Sequence, residues 1–198
     1  MNIKKIITGL ALSMLLSSGV AVAADFNKGL QAAQAGDFKT ALAEWTPLAE
    51  QGYASAQYNL GFMYRNGRGV PENDKTAVKW FTKAAEQGYA NAQLNLGIMY
   101  ENGHGVPEND KTAVKWFTKA AKQGSAIAQS YLSFMYEYGE GVLTDNRRAY
   151  MWSNLASYNG YETAGEAKRD IAKQMTPADI SKAQDMSSAC LASNYTDC

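Results

Sequence analysis

The 17-residue stretch GVPENDKTAVKWFTKAA decides the fold, because it occurs twice without change, at residues 69–85 and at residues 105–121. The similarity extends outward on both sides, so that residues 53–88 and 89–124 form two copies with a period of 36 residues. These copies differ at only six positions, which are Ser55/Asn91, Tyr58/Leu94, Phe62/Ile98, Arg65/Glu101, Arg68/His104 and Glu86/Lys122. A third, diverged copy occupies residues 125–160. Repetition at a fixed period of this length predicts an array of stacked structural units.

Each copy is predicted to contain two amphipathic helices joined by a loop. In the first copy, Leu60 and Tyr64 lie on one apolar face at helical spacing. Trp80 and Phe81 belong to the apolar stripe of the second helix. Pro71 lies between the two patterns and forbids one continuous helix. Helix-capping residues precede the second helix at a constant phase, namely Asp37, Asn73, Asn109 and Asp145, and glycines at Gly88, Gly124 and Gly160 are predicted to end it.

A single hairpin of this kind cannot bury its own apolar stripes, so we expect neighbouring units to bury them by stacking. The predicted fold class is all-α, an α-solenoid in which helical hairpins form a superhelix. Residues 24–52 are predicted to be a degenerate first repeat, followed by repeats at 53–88, 89–124 and 125–160. Residues 161–198 are predicted to form a terminal helix pair and a tail, with Thr176-Pro177 opening the last helix. This organisation gives about ten helices, at two per repeat unit.

The repeated motif resembles the Sel1-like repeat, a relative of the tetratricopeptide repeat with a longer loop inside the hairpin. The resemblance rests on AQYNLGFMYRNGRGVP at residues 56–71 and KWFTKAAEQG at residues 79–88, which recur at the fixed period. It covers nearly the whole chain after residue 23. It implies a scaffold or adaptor that binds other proteins, often in a bacterial envelope or signalling setting.

Residues 1–23 have the three-part pattern of a signal peptide. Lys4 and Lys5 precede an apolar run, and Ala21-Val22-Ala23 offers the small residues that a signal peptidase recognises. The run contains serines and glycines and is short for a membrane span of about 20 strongly apolar residues. We therefore expect cleavage before Ala24, no integral membrane segment afterwards, and a periplasmic protein, with secretion from the cell as the alternative.

Export changes the meaning of the two cysteines, Cys190 and Cys198, which are the only ones in the chain. In an oxidising compartment, an even pair without other candidates predicts one disulfide. The bridge would close a loop of about nine residues, for which the chain-entropy relation gives roughly 2.5 kcal/mol. We expect it to hold the C-terminal tail onto the last helix.

Composition argues against several functional classes. Without Lys4 and Lys5, the chain has 17 basic and 19 acidic residues, a net charge of −2, whereas nucleic-acid-binding domains carry a basic excess. A single histidine, His104, cannot form the two-histidine zinc motif. Familiar serine-nucleophile signatures are missing from residues 24–198. We therefore predict no metal, no cofactor, no nucleic-acid partner and no catalytic residue.

Two sequence features could suggest ligand chemistry but favour a structural role. Gly67 and Gly69 recur in each repeat, yet a phosphate-binding loop needs a preceding strand and a Lys-Ser or Lys-Thr pair directly after its last glycine. His104 takes the place of Arg68 in the preceding copy, which favours a solvated side chain.

The second helices carry a lysine ridge, formed by Lys75, Lys79 and Lys83 in one copy and Lys111, Lys115 and Lys119 in the next. Lysines at i, i+4 and i+8 share one helix face. The ridge is interpreted as a solvated face, with anionic headgroups or glycans as the alternative ligands.

Positions that vary between near-identical copies are the best candidates for function, because packing does not dictate them. Four of them lie on the side of the first helix opposite Leu60 and Tyr64. In tetratricopeptide-like arrays this side lines a concave groove, and the resemblance implies the same here. The predicted partner-binding residues are Ser55, Tyr58, Phe62, Arg65 and Asn66, then Asn91, Leu94, Ile98, Glu101 and Asn102, then Ile127, Ser130, Phe134, Glu137 and Tyr138. For Phe62, Ile98 and Phe134, packing between neighbouring first helices is the alternative.

The predicted function is an exported adaptor that binds a protein or peptide in this groove as a monomer, without catalysis of its own. A first alternative is an envelope hydrolase, because cysteine-rich relatives are linked to β-lactam binding or hydrolysis. Those relatives have a disulfide in each repeat, whereas residues 53–160 contain no cysteine. A second alternative is a regulator or inhibitor of an envelope enzyme.

Overall fold

The computed structural model describes residues 24–198, and the predicted signal peptide at 1–23 lies outside the described residues. Ten α-helices and no strand occur in the described part, as the repeat pattern predicts. The helices are α1 Phe26–Gln34, α2 Phe38–Glu50, α3 Ala54–Arg65, α4 Asp74–Glu86, α5 Ala90–Glu101, α6 Asp110–Ala121, α7 Ala126–Tyr138, α8 Asn146–Tyr158, α9 Ala164–Ala172 and α10 Pro177–Ala192. From α1 to α9 each helix packs on the next along the chain, and α10 returns to pack on α8.

The predicted caps of the second helices are confirmed. Asp37, Asn73 and Asn109 each accept a hydrogen bond from the backbone N–H three residues later, at 3.1, 2.9 and 2.9 Å. Asp145 accepts from the backbone N–H groups of Arg147 and Arg148. Each cap satisfies a backbone donor that has no partner inside the helix, so the capping residues determine where each second helix begins.

The loop inside each hairpin packs against the preceding unit. Gly105 has a φ of 72°, and a Cβ there would lie 2.5 Å from the carbonyl carbon of Asp74, at the start of α4. Gly141 repeats the arrangement against Asp110 of α6. Only glycine combines this left-handed backbone with such a close approach. The recurring glycines therefore let each loop pack closely against the preceding unit, which agrees with the predicted structural role of the loop glycines.

The core consists of clusters between successive helix pairs, and phenylalanines fill two of them. Phe81 and Phe117 are fully buried. A Cβ at Gly61 or Gly97 would lie 2.6 Å from the ring of Phe81 or Phe117, respectively. Glycines in the first helices thus leave room for the aromatic rings of the second helices.

A repeated polar network, which the hydrophobic pattern does not predict, crosses the core. The side-chain amides of Gln57, Gln93 and Gln129 donate to the backbone carbonyl eight residues earlier, at 3.0–3.1 Å. Their oxygens accept from Gln87, Gln123 and Asn159, at 2.7, 2.7 and 2.9 Å. Each network connects the first helix of a repeat to the C-terminal end of the preceding repeat's second helix and to the C-terminal end of the second helix of the same repeat. The recurrence of both amide positions at the repeat period was the available signal.

The C-terminal tail closes the third of these networks. Cys190 and Cys198 form a disulfide with their Cα atoms 4.8 Å apart. The Tyr195 hydroxyl donates to Asn159 Oδ1 at 2.9 Å, and Lys122 Nζ donates to the carbonyl of Thr196 at 3.0 Å. The bridge therefore holds a tail that contacts two repeats as well as α10.

Candidate partner-binding groove

Residues of the first helices line three clefts, which together form the candidate groove. The N-terminal cleft has a volume of about 350 Å³ and is lined by Ala33, Gln34, Phe38, Trp45, Tyr58, Asn59, Phe62, Met63 and Arg68. The central cleft, of about 420 Å³, is lined by Glu101, Ile127, Ser130, Tyr131, Phe134 and Tyr161. The C-terminal cleft, of about 300 Å³, is lined by Ser130, Ser133, Phe134, Glu137, Tyr138, Ser153, Ala164, Ala167 and Asp170. Because the last two share Ser130 and Phe134, they are contiguous.

Eight of the fifteen residues predicted from the sequence line these clefts. They are Tyr58, Phe62, Glu101, Ile127, Ser130, Phe134, Glu137 and Tyr138. Ile127, Phe134 and Tyr138 are the most open of the large ones, with exposed fractions of 45, 45 and 61%. Their exposure leaves contact area for a partner, and their role in binding stays a prediction.

The other seven residues lie outside the clefts. Leu94 is only 9% exposed and belongs to the same core cluster as Phe117, so it offers little surface. Ile98 packs on that cluster. The amides of Asn66 and Asn102 donate to the carbonyl four residues earlier and thus extend the ends of α3 and α5. The remaining three are Ser55, Arg65 and Asn91.

Burial also distinguishes the aromatic residues of the groove. Tyr58 is half-buried and contacts Phe81 and Tyr89, with ring centroids 5.8 and 5.2 Å away. Burial raises the pKa of the Tyr58 hydroxyl. Phe134 and Tyr138 instead contact each other on the exposed face of α7, with centroids 4.6 Å apart. Tyr58 therefore supports the fold, whereas the α7 pair is available to a partner.

The two ends of the groove carry opposite charge. At the N-terminal cleft the guanidinium of Arg68 lies over the rings of Phe38 and Phe62, 5.5 and 5.1 Å from their centroids. The central and C-terminal clefts contain Glu101, Glu137 and Asp170, and no lysine or arginine lines them among the described residues.

The three carboxylates differ in their surroundings. Burial, followed by the charges of Glu140 and Asp110, raises the pKa of Glu101. Burial likewise raises the pKa of Glu137. Asp170 forms an ion pair with Lys173 at 2.6 Å, and that hydrogen bond lowers the pKa of Asp170. Within residues 24–198 no lysine or arginine forms an ion pair with Glu101 or Glu137.

The C-terminal cleft lies where the third repeat lacks an aromatic ring that the two preceding repeats have. Ser153 stands at the phase of Phe81 and Phe117, and Ser133 at the phase of Gly61 and Gly97. Ser133 Oγ donates to the carbonyl of Ala149 at 2.8 Å, and Ser153 Oγ to that of Tyr150 at 3.0 Å. Sequence reasoning missed both serines. Aligning the buried positions of the three copies, rather than the variable ones, would have found them.

Two lysines of the ridge, Lys83 and Lys119, cover tryptophan rings. Lys83 Nζ lies 4.5 Å from the ring centroid of Trp80, and Lys119 Nζ lies 4.4 Å from that of Trp116. Long lysine side chains that cover aromatic faces are favourable and leave the ammonium in water. His104 is exposed in its loop. Among residues 24–198, no group of three or more histidine, cysteine or acidic side chains could hold a metal ion.

Stacked hairpins with a lined groove define this protein as an α-solenoid of the repeat type, and comparison with known proteins gives its family. The family model for the Sel1 repeat matches residues 54–89, 90–125 and 126–161, each one residue later than the copies defined above. The chain belongs to the Sel1 repeat family. Sel1 repeats form scaffolds that typically serve protein interaction.

Two solved structures support this membership. A Sel1 repeat protein from Oxalobacter formigenes shares 34% identity with a TM-score of 0.69, over 71% of this chain and 58% of its own. The protective antigen c5321 of uropathogenic Escherichia coli, which displays an SLR fold, shares 33% identity with a TM-score of 0.71, over 80% of this chain and 38% of its own. This chain therefore spans about three fifths of the first protein and two fifths of the second. No functionally curated protein matches it significantly.

Proposed function

We propose that this chain is an exported adaptor that binds a peptide segment of a protein partner along the groove and performs no catalysis of its own. The observation that carries the proposal is the exposed aromatic pair Phe134 and Tyr138 beside two contiguous clefts. Aromatic side chains with polar neighbours are enriched where proteins bind each other. Membership of a family of interaction scaffolds agrees with this.

Export is part of the proposal, with the periplasm as the compartment and secretion as the alternative. It rests on the pattern of residues 1–23 and on the disulfide between Cys190 and Cys198. No helix within residues 24–198 is long and apolar enough to cross a membrane. Intact mass measurement of the protein from a periplasmic extract tests export. The expected mass is that of residues 24–198 with one disulfide.

Site-specific photo-crosslinking tests the binding site. A photoreactive phenylalanine analogue at position 134 should give a discrete adduct in intact cells. The same analogue at Tyr158, which is 71% exposed and lines none of the three clefts, is the matched control. Tyr138→Ala should abolish the adduct at 134 without changing the circular dichroism spectrum. Adducts of equal yield at both positions would contradict a groove-specific partner.

Turnover assays test the absence of catalysis. Purified protein should not hydrolyse nitrocefin or cell-wall fragments. Turnover that disappears when a single groove carboxylate is removed, for example in Glu101→Gln, would replace the adaptor proposal with that of a hydrolase.

A further inference from the structure

The C-terminal cleft combines features that select the chemistry of one side chain of a partner. Its volume of about 300 Å³ is suited to a single side chain rather than to a folded element. Two carboxylates, Glu137 and Asp170, line it without any lysine or arginine among the described lining residues. An anionic side chain entering it would meet like charge at short range, which is unfavourable in a partly desolvated site.

The two carboxylates of this cleft differ in their ion pairing. Asp170 already has Lys173 at 2.6 Å, whereas Glu137 has no ion pair within the described residues. Burial raises the pKa of Glu137 and outweighs the opposite effect of hydrogen bonds from Tyr138 and Gln174, so the surroundings still penalise its charge. A cation brought by a partner would relieve that penalty.

The aromatic pair Phe134 and Tyr138 offers a surface for the apolar part of a partner side chain. Phe134 lines the cleft together with Tyr138, and both rings remain substantially exposed, at 45 and 61%. Lysine and arginine have an apolar stem and a charged head, and such side chains pack along aromatic faces with the cation near the ring. An aromatic wall next to a carboxylate that forms no ion pair within the described residues matches this shape and charge.

We propose that the C-terminal cleft binds a lysine or arginine side chain of the partner peptide, with Glu137 as its counter-ion and the Phe134–Tyr138 pair against its stem. This inference rests on the proposed function and adds the chemistry of the partner at one position. The clefts differ in this respect, because Arg68 makes the N-terminal cleft unfavourable for the same side chain.

The experiment selects ligands and then tests the pairing. A displayed library of random linear heptapeptides is selected on the protein of residues 24–198 with its disulfide intact. Groove binders are those that lose binding to Phe134→Ala. We expect them to share a lysine or arginine at one fixed position, and Glu137→Gln to weaken them about tenfold or more, as for a charge-assisted hydrogen bond.

A double-mutant cycle makes the assignment specific. Replacing the shared basic residue of the peptide by methionine should cost a similar factor on the wild-type protein and almost nothing on Glu137→Gln. Glu86→Gln removes the same charge from an exposed position on α4 and should leave the affinity unchanged. Loss of the same factor in both glutamine variants would indicate a long-range charge effect and would overturn the assignment to Glu137.

The remaining outcomes separate the two proposals. Groove binders that share no basic residue, or whose basic residue is not coupled to Glu137, would overturn the inference and leave the adaptor proposal standing. If no selected peptide depends on Phe134, both the inference and the proposed binding site fail.

Discussion

The two near-identical repeats at 53–124 and the diverged repeat at 125–160 differ in the side chain that fills the space between consecutive hairpins. In the first two, Phe81 or Phe117 fills the space between consecutive hairpins, and a glycine opposite makes room for it. In the third, the ring is replaced by Ser153, and a cleft opens beside α7. The hairpin, its caps and its glutamine network persist across all three. The third repeat thus has a smaller side chain at one core position within the same helical framework.

The largest expected effect concerns this replaced ring. Phe117→Ala should lower the free energy of unfolding by about 3–5 kcal/mol, because it removes a fully buried ring and leaves a cavity. Ser153→Ala at the same phase loses only a hydrogen bond within its own helix and should cost about 1 kcal/mol or less. Urea unfolding of both variants measures the difference. Equal costs would contradict the view that the copies fill this space differently.

Substituting the loop glycine that contacts the preceding unit should be equally destabilising in the near-identical repeats and in the diverged repeat. Gly105→Ala and Gly141→Ala should each cost about 2–4 kcal/mol, since strain of a left-handed backbone adds to overlap with backbone atoms 2.5 Å away. Gly88→Ala is the control, because its φ of 91° is also left-handed but no atom lies within 4 Å. It should cost about 1 kcal/mol. Thermal unfolding ranks the three variants, and a mild Gly141→Ala would show that the diverged repeat has relaxed this contact.

The glutamine network provides a finer comparison. Gln93→Leu and Gln129→Leu should each cost about 1–3 kcal/mol, because a backbone carbonyl loses its side-chain donor and the amide of Gln123 or Asn159 loses its acceptor. Only the third network has the extra hydrogen bond from Tyr195. Tyr195→Phe should therefore cost about 0.5–1.5 kcal/mol and increase hydrogen exchange in the C-terminal tail, with no change near Gln93. Exchange that spreads evenly over all repeats would contradict the local role.

The smallest effects are pH-dependent and differ in sign between regions. Glu101 and Glu137 have raised pKa values in the folded state, so their penalty on stability appears as pH rises from the ordinary glutamate pKa of about 4.3 through the raised value. Glu101→Gln and Glu137→Gln should therefore be more stable than wild type at pH 7, and the gain should vanish near pH 4.

Glu44 in the first unit is the matched control with the opposite sign. Hydrogen bonds from Lys28 and from the backbone N–H of Asp25 lower its pKa. Its contribution to stability is present above the ordinary glutamate pKa and is lost as pH falls through the lowered value. Glu44→Gln should accordingly destabilise the protein at pH 7. Melting temperatures between pH 3 and pH 7 test these signs, and a common sign for all three variants would contradict the assignments.

The fold could be predicted almost completely from the sequence, because its determinants recur at a visible period. The capping residues Asn73 and Asn109 and the breaker Pro71 act locally, so their positions along the chain suffice to place the helix starts. The disulfide followed from there being only two cysteines. The residues on the exposed face of α7 could be predicted from their helical spacing.

The clefts could be predicted only in part, because they depend on contacts between units. Leu94 and Tyr58 occupy the same phase, yet Leu94 belongs to the core while Tyr58 lines the N-terminal cleft. The burial of Leu94 and Tyr58 differs because different side chains approach them from the next hairpin. The position of a residue within its own helix does not predict these contacts. Asp170 comes from α9, which lies beyond the three matched repeats, and Tyr161 comes from the turn that precedes α9.

The most direct test of the central claim restores the missing ring. The double variant Ser133→Gly/Ser153→Phe recreates in the third repeat the pair that fills the first two, and calorimetric titration with a groove-binding peptide measures the effect. With the ring verified in the cleft by a crystal structure, the account predicts that binding is lost while the helical content is kept. Unchanged affinity with the cleft filled would contradict it.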